Sequence, residues 1–449
     1  MAQTYSPTSI MFNVQRGAPE LVTPAKSTPY EFKPLSDLDN LYWFRTHVSG
    51  LTFYPHNPSM NGVDPSKLIR TAIAQTLVFY YPLAGRLREG TTGKLTVECT
   101  GEGILFAEAD ADVTLDQFGY PIVPPFSFLD QLLYQEPTDI FNCPLMLIQV
   151  TRLKCGGFVI GLRHNHTMCD AVGAAQFLSA IGEIARGAIS PSVLPVWERH
   201  VLNSTIPQQP TSPLPEHNHN ISDSSNDMKF PLEHELCYKA FIFAQTEISA
   251  LRRCLPIHLR HCSSFEIVTA SVWKCRVAAL QLHPTKETSL IWSVNLRGKL
   301  NQLIPSGYYG NAVGVSISTS TAKDILESPL SYALQLLRNS KRKVNTEDYE
   351  GSVINLMASM TSYTVTDLKN AGFGEVDFGW NKPIYAGLAQ SMLTAGGYQT
   401  QFNREKGENE IMLPVCLPKE AMERFEMELN NMLKDQPFIG DGNAVISKL

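Results

Sequence analysis

The stretch that most constrains the fold runs from Gly157 to Gly187, GFVIGLRHNHTMCDAVGAAQFLSAIGEIARG. It opens with an apolar, β-branched run at Phe158, Val159, Ile160 and Leu162 and turns polar from Arg163 to Asp170. Apolar residues then resume at helical spacing, at Ala174, Phe177, Leu178, Ile181, Ile184 and Ala185. The pattern predicts a buried strand, a short loop and a helix. His166 and Asp170 fall in the loop, the kind of position where a rigid scaffold holds reacting groups. A carboxylate at Asp170 also suits the cap of the following helix, because it accepts the unpaired N–H groups of the first turn.

At 449 residues the chain exceeds one ordinary core, and two domains of roughly 200 residues are expected. Residues 205–229 are dominated by Pro, Ser, Asn and Asp and break every periodicity. They read as a crossover linker between an N-terminal domain, 1–204, and a C-terminal domain, 230–449. With 43% hydrophobic and 18% charged residues the composition is that of a globular protein. A net charge of −6 and the lack of a long Lys/Arg run argue against nucleic acid as a partner. No window approaches the 18 or so apolar residues of a membrane span, and the N-terminus does not read as a secretory signal. The nine cysteines are scattered, with no C-x-x-C pair, and are expected to be reduced. The C-terminal Ser447-Lys448-Leu449 has the form of a peroxisomal address. Peroxisome is therefore the expected location, with cytoplasm the alternative.

Along the chain, Ile10 to Phe12 and Leu51 to Tyr54 suggest strands. Asp64-Pro65 opens a helix through Leu77. Strands around Leu95 to Cys99 and Ile104 to Ala107 are joined by Thr100-Gly101-Glu102-Gly103. That segment reads as a tight hairpin and not as a nucleotide-binding loop, because no third glycine opens a helix. Strands at Leu145 to Leu153 and Gly157 to His166 flank a Lys154-Cys155-Gly156 turn. In the second half a strand spans Cys237 to Phe243, and a helix runs from Phe265 to Leu280 with Ile267, Val268, Ser271, Val272, Cys275 and Ala279 inward. A strand at Ser289 to Asn295 follows. Ser328-Pro329 reads as a cap and proline starting a helix to Arg338. A strand at Ile411 to Leu417 and an amphipathic helix from Glu420 to Leu433 close the chain.

His166 is the best candidate base, since imidazole titrates near neutrality and can take a proton from an alcohol or thiol. Other readings stay open on residues alone. His164, His166 and Asp170 could hold a metal, although Thr167, Met168 and Cys169 interrupt the hydrolase pattern that would use them. Cys169 could be a nucleophile, or a thiol filling space under the helix. No Gly-x-Ser-x-Gly elbow occurs. His217 and His219, in the linker, read as solvated.

Two signatures then coincide, His166-Thr167-Met168-Cys169-Asp170 and Asp377-Phe378-Gly379-Trp380. Together they resemble the plant acyl-CoA-dependent acyltransferases of the BAHD family. Tyr81-Pro82-Leu83-Ala84-Gly85-Arg86-Leu87, Asn295-Leu296-Arg297 and Gly307-Tyr308-Tyr309-Gly310-Asn311 resemble it too, and within the family the likeness is greatest to alcohol acyltransferases of the benzyl alcohol O-benzoyltransferase type. The resemblance implies an α/β fold of two similar domains, each a mixed sheet with helices, as in chloramphenicol acetyltransferase. A channel would run between them, and part of 377–402 would pack with the N-terminal domain. It implies acyl-CoA as co-substrate and a small-molecule alcohol as acceptor, with no bound cofactor and no metal, in a monomer. His166, Asp170 and Asp377 are the implied catalytic-motif residues. His166 would be the base, and no acyl-enzyme would form. Asp170 would pair with Arg297 and hold the loop. Asp377 would be structural and remote, and Trp380 would place its segment against the channel. Benzoyl transfer to benzyl alcohol is the leading expectation. Acylation of a bulkier secondary alcohol, such as an alkaloid, with benzoyl, tigloyl or acetyl is the alternative, and a non-catalytic acyl-CoA-binding relative is the alternative of another class. The chain departs from the family pattern at Asn381, where glycine is usual. It departs again at Val353 to Val365, which is shorter than in relatives, and at Gly387 to Thr394.

Overall fold

A computed structural model describes residues 3–136, 139–203, 235–299, 303–341, 356–357, 359–390, 396–403 and 409–434. The linker 205–229 and the C-terminal tripeptide lie outside the described residues. So do most of 353–358 and residues 391–394.

Two seven-stranded sheets carry the molecule. The first is built on β5 (His47–Tyr54), β8 (Ile104–Ala111), β9 (Met146–Leu153) and β10 (Phe158–Asn165). Its order is β15 (Tyr385–Leu388), β5, β10, β9, β8 and β2 (Val14–Arg16), with β3 (Glu20–Val22) also paired to β8. β9 and β10 form the expected antiparallel hairpin, and all eight residues of β10 are buried, which suits the apolar run from Phe158 to Leu162 that opens it. Helices α1 (Pro65–Thr76), α2 (Leu129–Leu132) and α3 (Ala171–Ala185) flank this sheet. Asp64 caps α1 by accepting from the Ser66 N–H, with Pro65 at its first position. A small sheet of β4 (Phe32–Pro34), β7 (Leu95–Glu98) and β6 (Arg86–Glu89) lies beside it.

The second sheet has the order β1 (Gln3–Tyr5), β11 (Leu236–Phe243), β17 (Asn409–Pro418), β16 (Gly396–Asn403), β14 (Ser362–Asp367), β12 (Glu287–Asn295), β13 (Val313–Thr321). The β12–β14 and β14–β16 pairs are parallel and the rest antiparallel, so this sheet is mixed, as is the first. Its helices are α4 (Gln245–Arg253), α5 (Ser264–Leu280), α6 (Ala322–Glu327), α7 (Leu330–Ser340) and α8 (Lys419–Leu433). Among the described residues no helix is long and apolar enough to cross a membrane.

Several expectations need correction. Residues 100–103 do not close a hairpin: β7 belongs to the small sheet and β8 to the first. Gly103 (φ +99°) carries the chain between them so close to Val22 that a Cβ would sit 2.3 Å from its carbonyl oxygen. Ile10 to Phe12 is not a strand; Phe12 instead plugs the core edge-on against Phe118 and Phe128. The single inner face expected of α5 is too narrow, because α4, α6, α7, α8 and β14 surround the helix and bury nearly all of it. Ser328 ends α6 and does not cap α7, whose cap position is Pro329. Across the linker, β1, from the first few residues, extends the second sheet, and β15, from the part of 377–402 expected to pack with the N-terminal domain, extends the first.

Candidate active site

β10 delivers its last residue, Asn165, to the junction between the halves, and the chain turns through residues 166–170 into α3. Asn165 Oδ1 accepts from the Thr167 N–H and hydroxyl, which tightens the turn. Asp170 then caps α3 by accepting from the Gly173 N–H at 3.0 Å. Gly173 is required there, because a Cβ would lie 2.0 Å from the Tyr309 carbonyl oxygen. Only glycine lets the 307–312 segment approach the helix so closely.

That segment and Arg297 complete the Asp170 environment. Arg297 donates from Nη1 to Asp170 Oδ2 at 2.7 Å and from Nη2 to Oδ1 at 3.1 Å, and the Ala312 N–H donates to Oδ2 at 2.9 Å. Arg297 Nη2 also donates to the Gly310 carbonyl at 2.7 Å. A bidentate, buried pair of this kind fixes orientation as well as charge. Both Asp170 oxygens are thereby occupied, and among the described residues no group of three or more His, Cys, Asp or Glu is placed to hold a metal. Cys169 is fully buried, and burial pushes its thiol well above the ordinary range, so it does not supply a thiolate.

His166 is half-buried. Its N–H donates to the Thr46 carbonyl and its own carbonyl accepts from Asn311 Nδ2, both at 2.8 Å. The imidazole lies against Phe44, with ring centroids 4.5 Å apart. Burial lowers its pKa below the ordinary 6.5, with the Asp170 carboxylate opposing, so the ring is neutral and able to accept a proton at neutral pH. Phe44 belongs to an apolar cluster with Leu38, Leu41, Leu296, Ile304, Tyr308 and Ala312, drawn from both halves. His164, 6.0 Å from His166 between ring centroids, is buried, and its pKa is lowered to about 3 chiefly by burial.

Asp377 and Trp380 are not brought to this loop. Asp377 Oδ1 accepts from the Gly379 N–H, and its carbonyl accepts from Arg186 and packs on Gly182. Those contacts lie at the far end of α3, about 18 Å along the helix from Asp170. Trp380 packs edge-on against Phe158, at the start of β10. It borders a surface cavity of about 410 Å³ lined also by His56, Asp64 and Arg152, which does not include His166. Asn381 adopts φ +69°, so the position does need a left-handed backbone, and asparagine supplies it.

Sequence reasoning missed a second ion pair behind the loop. Asp39, fully buried, accepts from Arg199 Nη1 at 2.8 Å, from the Ser36 N–H and hydroxyl, and from the Asn311 backbone and side-chain N–H groups. Arg199 also donates to the Met168 carbonyl at 2.7 Å and stacks over Trp197. No periodic pattern marks Asp39 or Arg199; Asn311 stood out only within the Gly307–Asn311 phrase.

Two mixed sheets with a His-x-x-x-Asp loop at their junction define the chloramphenicol acetyltransferase-like class. Vinorine synthase shares the fold with a TM-score of 0.75 at 22% identity, over 94% of this chain and 98% of its own. A model of the family described as the Transferase family matches residues 12–432. A benzyl alcohol O-benzoyltransferase of Nicotiana tabacum is 47% identical over 97% of both chains. A 13-hydroxylupanine O-tigloyltransferase of Lupinus albus is 46% identical over 95% of this chain and 96% of its own. The chain belongs to this family, the BAHD acyltransferases, and is an acyl-CoA-dependent alcohol acyltransferase.

Proposed function

We propose that the enzyme transfers a benzoyl group from benzoyl-CoA to benzyl alcohol, with His166 as general base. The observation that carries this reading is the neutral imidazole held against Phe44 beside an apolar cluster, a setting suited to an aromatic substrate. His166 takes the hydroxyl proton as the alcohol oxygen attacks the thioester carbonyl. The tetrahedral intermediate then collapses, the C–S bond breaks, and the CoA thiolate recovers the proton from the imidazolium. The thioester is already activated, so no acyl-enzyme is needed. Asp170 and Arg297 act by holding the loop, and Asp377 and Trp380 by packing against the far end of α3 and the start of β10.

The similarity of the lupin tigloyltransferase supports a second reading, in which the acceptor is a bulkier secondary alcohol and the acyl group tigloyl, benzoyl or acetyl. A monomer is the state the family resemblance implies; size-exclusion chromatography with light scattering tests this. Ser447-Lys448-Leu449 supports a peroxisomal location, and unchanged localisation after its deletion would refute it. The activity is tested by assaying purified protein with benzoyl-, tigloyl- and acetyl-CoA against benzyl alcohol and secondary alcohols. His166→Ala should lower the rate by about 100- to 10,000-fold. Ester formation unchanged in that variant would end the general-base reading, and no transfer by the wild-type protein with any pair would end the catalytic one.

A further inference from the structure

Phe44 touches the base but takes no part in the proton transfer. Its phenyl ring and the His166 imidazole have centroids 4.5 Å apart and planes inclined by 39°. Rings that close are in van der Waals contact, so no substrate atom fits between them. One face of the imidazole is thereby closed. Phe44 is 7% exposed, packed into the apolar cluster of both halves, with the Trp43 ring edge-on at 5.9 Å.

The closure is built into the backbone. Phe44 ends a short 3-10 turn, Tyr42–Phe44, and its N–H donates to the Leu41 carbonyl at 3.0 Å. Its own carbonyl accepts from the Thr46 N–H at 2.8 Å, and the Thr46 carbonyl accepts from the His166 N–H at the same distance. The segment that carries the phenyl is thus bonded directly to the loop that carries the base. Both sides of the turn are anchored as well, Asp39 by Arg199 and Asn311, and Arg45 by Glu89 and the Gly93 carbonyl. The backbone beneath the phenyl is therefore fixed, and the packed cluster around the ring holds its rotamer.

An alcohol that gives its proton to His166 must bring its oxygen within about 2.6–3.2 Å of the accepting nitrogen. Its carbinol carbon lies one bond further, so the substituents of that carbon brush whatever flanks the imidazole. A primary alcohol carries two hydrogens there and can turn them toward the phenyl. A secondary alcohol carries a second carbon, which must share the open side with the first carbon and with the incoming thioester. We infer that Phe44 is a specificity-determining residue that selects primary over secondary alcohols at the carbinol carbon. The inference rests on His166 being the base, and it favours benzyl alcohol over a secondary alcohol of the alkaloid kind as acceptor.

The test compares benzyl alcohol with α-methylbenzyl alcohol, which differs only by a methyl group on the carbinol carbon. It uses the purified full-length protein and benzoyl-CoA, or tigloyl- or acetyl-CoA where benzoyl is not transferred, and takes the faster enantiomer of the secondary alcohol. One methyl group in a tight pocket is worth about 10- to 200-fold in kcat/KM, so the wild type should prefer benzyl alcohol by about tenfold or more. Phe44→Ala should cut that preference to about threefold or less. Phe44→Leu keeps the cluster filled; it should cut the preference partly, and it stands in where Phe44→Ala does not fold. Because the preference is a ratio within one variant, any loss of folded protein cancels. A para-tert-butylbenzyl alcohol, bulky but primary, should gain less from either substitution than α-methylbenzyl alcohol does. A wild type that uses both test alcohols equally, a preference unchanged in the variants, or equal gains for the two bulky alcohols would each overturn the inference. Full activity in His166→Ala would instead overturn the base reading beneath it.

Discussion

Replacing Arg297 by methionine tests how the loop is held. Asp170 is 3% exposed and accepts four hydrogen bonds, two of them from Arg297. Removing the guanidinium leaves a buried carboxylate with only the Gly173 and Ala312 N–H groups. Breaking a buried pair from one side costs about 3–5 kcal/mol, a large part of the roughly 5–15 kcal/mol that holds a folded protein. Asp170→Asn should cost less, roughly 1–3 kcal/mol, because the Arg297 side chain keeps 17% exposure and its bond to Gly310. The double variant leaves no unpaired charge and should be more stable than Arg297→Met alone. Urea unfolding followed by tryptophan fluorescence measures all three. A loss under about 1 kcal/mol in Arg297→Met would put the pair in the class of exposed surface bridges and refute the reasoning, as would a double variant less stable than the single one.

Two further predictions concern stability. His164 has a folded pKa of about 3 against an ordinary 6.5, so below pH 6.5 the unfolded chain binds a proton that the folded chain does not. Stability should be intact above that pH and fall by about 1.4 kcal/mol per pH unit beneath it, about 2 kcal/mol by pH 5. His164→Leu should remove that slope, and an equal wild-type-to-variant gap at pH 7.5 and pH 5 would contradict it. At Asn381, φ +69° should make Asn381→Val cost about 1–2 kcal/mol, whereas Asn381→Gly should be neutral or slightly stabilising. Thermal unfolding of both variants decides this, and the reverse order would refute it.

Much of the site could be read before the fold was known because its parts are close in sequence. A strand, a polar loop and a helix announce themselves by period within thirty residues, and Asp170 is named as a cap by its place before an apolar helical run. The Arg297 partner and the remoteness of Asp377 came only with family resemblance, since no local rule relates residue 170 to residue 297. The misreadings have the same origin. Residues 100–103 look like a hairpin because spacing says where a chain turns but not which sheet it joins next, and α5 looks one-sided because its far face is covered by elements distant in sequence.

Local sequence therefore determined the elements, their caps and the presence of a histidine at a strand end, because those depend on residues within one or two turns of each other. The tertiary structure alone decided the crossing of β1 into the second sheet, the second ion pair of Asp39 with Arg199, and the reach of Asn311 to the His166 carbonyl. Each depends on burial and on contacts between residues more than a hundred positions apart. In the interior the need to pair every polar group selects the partners, and sequence separation has no part in that selection.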